Sequence, residues 1–248
     1  MVSPTQSKRK ALNLYCFRFC LLMAVTVLLL SMVIMGIAPF QLPWSPPGLH
    51  TPVLVVEFLG SMEEALMVFG PEKIGLDSVV EGIYWDFGYI ACYSLLLTSF
   101  AVAGWLQTQN KNLLLCIPII AIAATCDVFE NQILLEITDR ISNTIPSTSA
   151  LNQDGTTEDI NFILLRTWVN SKFTAITMVS TLLFPFVMSQ HSRFPISSRI
   201  FAVATLIALA SSLAIWFTRW IMPEVLSLAI AACWATIATR AFYLSRSS

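Results

Sequence analysis

Apolar residues in this chain arrive in long unbroken blocks, separated by short polar or proline-containing stretches. Six blocks, at roughly 19–38, 83–105, 113–135, 163–188, 200–220 and 225–243, approach or exceed the length needed to cross a membrane. An apolar helix of about 20 residues spans the hydrocarbon core of a bilayer. The blocks are too long for barrel strands and do not alternate with a period of two, so helices are the spanning form. The pattern predicts an all-α polytopic transmembrane bundle of about six helices. The first block follows a basic start, as a secretory signal does. Its apolar run is nevertheless longer than a signal core of about 7–15 residues, and it is read as a retained anchor.

The connections carry their own signals. Residues 1–14 read as a polar, basic, disordered tail, and Gln41–Gly48 as a proline-rich exit that cannot continue a helix. Over 52–70, Leu54, Phe58, Met62, Leu66 and Phe69 recur at helical spacing, while Glu57, Ser61 and Glu64 take another face. That spacing predicts one amphipathic helix lying on the outer membrane surface or capping the bundle. The stretch 138–160 is rich in Ser, Thr, Asn and Asp and reads as a flexible loop. Pro223 marks a helix start after a short turn, so the last two spans form a tight hairpin. Small residues recur every fourth position at Ala204, Ala208 and Ser212, and again at Ser227, Ala231, Ala235 and Thr239. This spacing suits close helix–helix approach. No internal repeat supports an inverted-repeat transporter.

Composition agrees with a membrane class: 56% of the 248 residues are hydrophobic and only 12% are charged. A soluble domain usually carries about a quarter charged residues. Charge then suggests an orientation. With the N-terminus inside, Lys8, Arg9, Lys10, Arg18, Lys111, Arg193, Arg199, Arg240 and Arg246 all fall on the cytoplasmic side, as cations favour. Both termini are therefore expected in the cytoplasm, with the protein in the plasma (inner) membrane. The six cysteines lie in or beside apolar blocks and read as packing residues.

Ionisable groups inside a bilayer are costly and usually face the bundle interior. Here they concentrate in the second to fourth spans. Asp86, Tyr89 and Tyr93 share one helical face, and Asp127, Glu130 and Asn131 share another at i, i+3 and i+4. The fourth span brings Arg166, Asn170 and Lys172. On a helical wheel Lys172 points away from the stripe of Arg166, Asn170 and Thr177. Three carboxylates against two cations leave one negative charge for a proton, a bound cation or a positively charged ligand. An ion-paired network that only fixes helix register is the competing reading. His50 and His191 are expected on opposite sides of the membrane, and no metal-ligand spacing, phosphate loop or nucleophile motif occurs. No cofactor, metal or nucleic-acid partner is expected, and the bilayer is the expected environment.

Glu57-Phe-Leu-Gly-Ser-Met-Glu-Glu64, Asp86-Phe-Gly-Tyr-Ile-Ala-Cys-Tyr93, Asp127-Val-Phe-Glu-Asn131 and Lys172-Phe173 together resemble a group of small bacterial integral membrane proteins without an assigned activity. The resemblance covers about 53–188, and the Asp-x-x-Glu-Asn element is its most specific part. It implies a shared architecture and polar cluster, and it adds Glu57 as a group that could close the cluster from the outer helix. The chain is thus read as one membrane domain: a tail at 1–14, a core at 53–188 with the second to fourth spans, and a C-terminal hairpin at 199–243. The candidate site is Glu57, Asp86, Tyr93, Asp127, Glu130, Asn131, Arg166 and Lys172. The first functional expectation is an outward-facing pocket that binds or moves a small solute, a proton or cation, or a lipid headgroup. An intramembrane lipid-modifying enzyme and a non-catalytic assembly factor or subunit are the rivals.

Overall fold

The computed structural model describes residues 4–38, 42–143, 161–218 and 220–246, with side chains from residue 8 onward. Its elements are α1 (Pro4–Ile37), α2 (Pro52–Glu57), α3 (Met62–Phe69), α4 (Leu76–Thr108), a 3₁₀ turn at Lys111–Leu115, α5 (Cys116–Asn143), α6 (Phe162–Ser189), α7 (Pro195–Ala214) and α8 (Met222–Leu244). Six of these segments are long and apolar enough to cross a membrane: Lys8–Ile37, Leu76–Thr108, Lys111–Asn143, Phe162–Ser189, Pro195–Ala214 and Met222–Leu244. The protein is an all-α, multi-pass bundle. An even number of crossings leaves both ends of the chain on one side, opposite α2 and α3. The side bearing α2 and α3 is called the capped end below.

Helix α1 packs mainly along α4 and also touches α8, while α5 pairs with α6 and α7 with α8. Close approach of α4 and α6 depends on Gly104, where an added Cβ would lie 3.0 Å from Phe186 Cδ1. At about 1.5 Å per residue, α4 is roughly 50 Å long, well beyond a hydrocarbon core of about 30 Å. Its N-terminal part and the end of α5 project together at the capped end, where the Lys73 ammonium donates to the Ser142 carbonyl. The buried apolar residues form two clusters. One, including Leu54, Phe58, Phe69 and Ile137, fills the capped end. The other, including Phe17, Phe100, Leu183 and Ile237, fills the opposite end.

Four expectations change. The chain over 52–70 folds as two short helices, because Ser61 starts a new one: its hydroxyl accepts from Glu64 N at 3.1 Å, and Glu64 Oε2 accepts from Gly60 N at 2.8 Å. This reciprocal capping satisfies donors that an uninterrupted helix would bond internally. Leu54, Val55, Val56, Phe58 and Leu59 are buried, so of the two expected placements α2 takes the capping one, seated in the bundle. Helix α5 continues to Asn143, with an Arg140–Glu136 pair at 2.7 Å, so the expected loop does not begin at 138. The rest of that loop, 144–160, lies outside the described residues. The basic tail is helical from Pro4, since no breaker separates it from the apolar run and an existing helix extends cheaply. Finally, Ala204, Ala208 and Ser212 are buried as their spacing implied, but Ala231, Ala235 and Thr239 face outward. Helix α8 instead buries Leu226, Ile230, Cys233 and Ile237.

Candidate functional site

Lys172 enters from α6 between the two apolar clusters, and its side chain is 7% exposed. Three carboxylates surround its ammonium. Nζ donates to Glu130 Oε1 at 2.9 Å, with Oε2 of the same group at 2.8 Å. Asp127 Oδ1 lies 3.1 Å away and Glu57 Oε1 3.2 Å away. Asp127 and Glu130 come from one face of α5, one turn apart. Glu57 is the last residue of α2, which the break at Gly60–Ser61 leaves pointing into the bundle. The ammonium also lies 4.9 Å from the centre of the Phe173 ring, which stacks on Phe58 at 6.3 Å.

A second layer fixes the first. The Tyr93 hydroxyl donates to Asp127 Oδ2 at 2.9 Å, and Asn131 Nδ2 donates to Asp86 Oδ2 at 2.8 Å. Tyr93 is held in turn by Trp234 of α8, whose ring centroid is 5.5 Å away, and by Tyr89 at 5.8 Å. Glu57 Oε2 is buried and accepts no hydrogen bond among the described residues. Burial pushes the Glu57 carboxyl above the usual glutamate range, against the pull of the Lys172 ammonium.

Seven of the eight candidate residues come together here: Glu57, Asp86, Tyr93, Asp127, Glu130, Asn131 and Lys172. Arg166 does not join them. It and Asn170 each reach the Ile215 carbonyl at the C-terminal end of α7, both at 3.4 Å. The charge count therefore changes from three carboxylates against two cations to four carboxylates against one lysine. Buried charge without a counter-charge costs several kcal/mol per ion even after relaxation. The site thus has a deficit of positive charge larger than the sequence suggested.

The cluster opens onto a cavity of about 320 Å³. Glu57, Asp86, Asp127 and Lys172 form its polar end, and Ile34, Ile176, Ile230 and Trp234 are among its apolar walls. A smaller cavity of about 50 Å³ between α1, α2 and α4 is also lined by Glu57 and Asp86. Volumes of about 300–1,000 Å³, mostly apolar with a few convergent polar groups, are typical of ligand pockets.

Two positions outside the candidate list shape the site. Trp234 was hidden in a span read as a packing element, although a lone tryptophan among alanines is a usable signal. Glu224, at the start of α8, accepts from His50 N at 2.8 Å, Thr51 N at 2.7 Å and Thr51 Oγ1 at 2.7 Å, and so pins the N-terminus of α2. At the opposite end, Arg240 is fully buried. It donates to the Val187 carbonyl at 2.8 Å and Ser198 Oγ at 2.6 Å, tying α6, α7 and α8 together. Among the described residues no group of three metal-ligating side chains is arranged to hold an ion. Comparison with protein-family models, with curated proteins and with solved structures finds no match for this chain.

Proposed function

We propose that the protein binds, and moves or presents, a small cationic solute or headgroup in the carboxylate pocket. The observation that carries this reading is the excess of carboxylate around Lys172 at the end of an apolar cavity. Glu57, Asp127 and Glu130 all bond one ammonium, and Asp86 adds a fourth acid whose hydrogen-bond partner among the described residues is the Asn131 amide. A network serving only to fix helix register gains most from matched charges. This one is mismatched by three, and protons or a bound cation must make up the difference. Asp127, Asp86 and the free oxygen of Glu57 are the ligand groups, Asn131 and Tyr93 position them, and Lys172 holds the carboxylates together when the pocket is empty.

The excess of Lys and Arg opposite the capped end supports cytoplasmic termini, with the pocket facing away from the cytoplasm. The test is a set of neutral amides, Glu57→Gln, Asp86→Asn and Asp127→Asn, in purified full-length protein. Butylammonium should raise the unfolding temperature of wild type and lose that effect in the variants. Variants that fold like wild type and respond equally would refute the reading.

A second reading has one observation in its favour. Tyr93, Asp127, Lys172 and Glu130 form a continuous chain of hydrogen-bonding groups, suited to acid/base work on a lipid. A changed lipid profile in cells lacking the protein would support it, and an unchanged profile would count against it.

A further inference from the structure

Resting on the cation-site reading, we infer that the occupant is an amphiphile with a protonated amine head, and that it enters sideways from the bilayer between α1 and α8. Among the described residues, α2 obstructs the direct route from water. Helix α2 covers the capped end of the cavity with Leu54, Val55 and Val56 buried, and Glu224 clamps its N-terminus with three hydrogen bonds. The lateral route is open. Met35 of α1 and Leu228 of α8 both line the cavity, yet they are 54% and 70% exposed, so its mouth lies between them. Both residues belong to membrane-spanning segments, so that mouth faces the bilayer.

The outward-facing small residues of α8 then gain a role. Ser227 and Ala231 line the cavity, and their short side chains leave a gap that larger residues would fill. Inside, the walls suit an alkyl segment near the mouth and a cation at the far end. The stacked Tyr93 and Trp234 rings add aromatic faces beside the carboxylates, an arrangement that attracts ammonium groups. The Trp234 indole N–H is buried and has no acceptor among the described residues, so an oxygen next to the amine would satisfy it. A cavity of about 320 Å³ lies at the small end of ligand pockets, which run to about 1,000 Å³. It suits a head and the start of one chain, with the remainder trailing into the bilayer.

The experiment uses the full chain in phosphatidylcholine nanodiscs. A dodecylamine with a diazirine on its chain is photo-crosslinked beside the matching alcohol, and labelled peptides are mapped by mass spectrometry. The amine should label residues 31–35 and 227–234 at least five-fold more than the alcohol does. That excess should disappear in Glu57→Gln and in Asp86→Asn, each checked for a wild-type elution profile. Equal labelling by amine and alcohol would overturn the inference, as would amine labels concentrated on residues 50–56. If butylammonium still stabilises wild type under either of those outcomes, the cation site stands and only the lateral amphiphile route fails. If butylammonium has no effect, the cation site itself fails.

Discussion

Replacing Lys172 with methionine keeps most of the side-chain volume and removes the charge that Glu57, Asp127 and Glu130 share. Each carboxylate lies within 3.2 Å of the ammonium, and the lysine side chain is 7% exposed. Removing one partner of a buried pair costs about 3–5 kcal/mol, because the other charge is left uncompensated. Here three acids lose their partner, and protonation can relieve part of the cost, so the same about 3–5 kcal/mol is the appropriate figure for the whole change. For a chain of this size, 1 kcal/mol moves the unfolding temperature by roughly 2–4 °C, so K172M should unfold roughly 6–20 °C below wild type. The assay is thermal unfolding in mild detergent followed by size-exclusion fluorescence. Adding Glu130→Gln to K172M should recover part of the loss, since the two residues are directly coupled. A K172M protein unfolding within about 1 °C of wild type would refute the argument that the ammonium offsets buried carboxylate charge.

Three further outcomes follow from other contacts. Glu57 holds its proton above the usual glutamate range, so its contribution to stability is fully present at acid pH and is lost as pH rises through its folded-state value; unfolding temperatures measured from pH 4 upward should fall more steeply in wild type than in Glu57→Gln. Glu224→Ala removes three hydrogen bonds to His50 and Thr51 and should cost about 1 kcal/mol at this partly buried position; hydrogen exchange by mass spectrometry should quicken over residues 50–57 while α6 stays protected. Arg240→Ala opens a void where a fully buried side chain joined three helices and should cost about 3–5 kcal/mol, seen as a lowered unfolding temperature without loss of butylammonium stabilisation.

Much of this arrangement is legible in the sequence because membrane burial is so restrictive. The apolar blocks gave the spans, and the spacing of Asp127, Glu130 and Asn131 placed them on one face of α5. The wheel position of Lys172, away from Arg166 and Asn170, puts the two cations on different faces, although the sequence reading still lists both in one cluster. Arg166 joins the candidate list because it shares the fourth span with Lys172, and a shared span is the weaker guide because side-chain direction decides contact. The inward seat of Glu57 was less legible. Hydrophobic spacing over 52–70 fits one helix, and only the Ser61–Glu64 capping pair reveals the break that turns Glu57 toward Lys172. The outward face of the α8 stripe was hidden for a different reason. Small residues permit close packing but do not require it, and here the neighbouring Leu226, Ile230 and Cys233 supply the buried face.

The central claim is that the unmatched carboxylates form a cation site, and calorimetry tests it most directly. Ethylammonium would be titrated into the full chain in nanodiscs at pH 7, in two buffers of different ionisation enthalpy. The account predicts saturable one-to-one binding that is lost in Asp127→Asn, with protons released from Glu57 as the cation takes their place. A folded wild-type protein that gives no binding heat in either buffer, or that binds equally well with Asp127 neutralised, would contradict it.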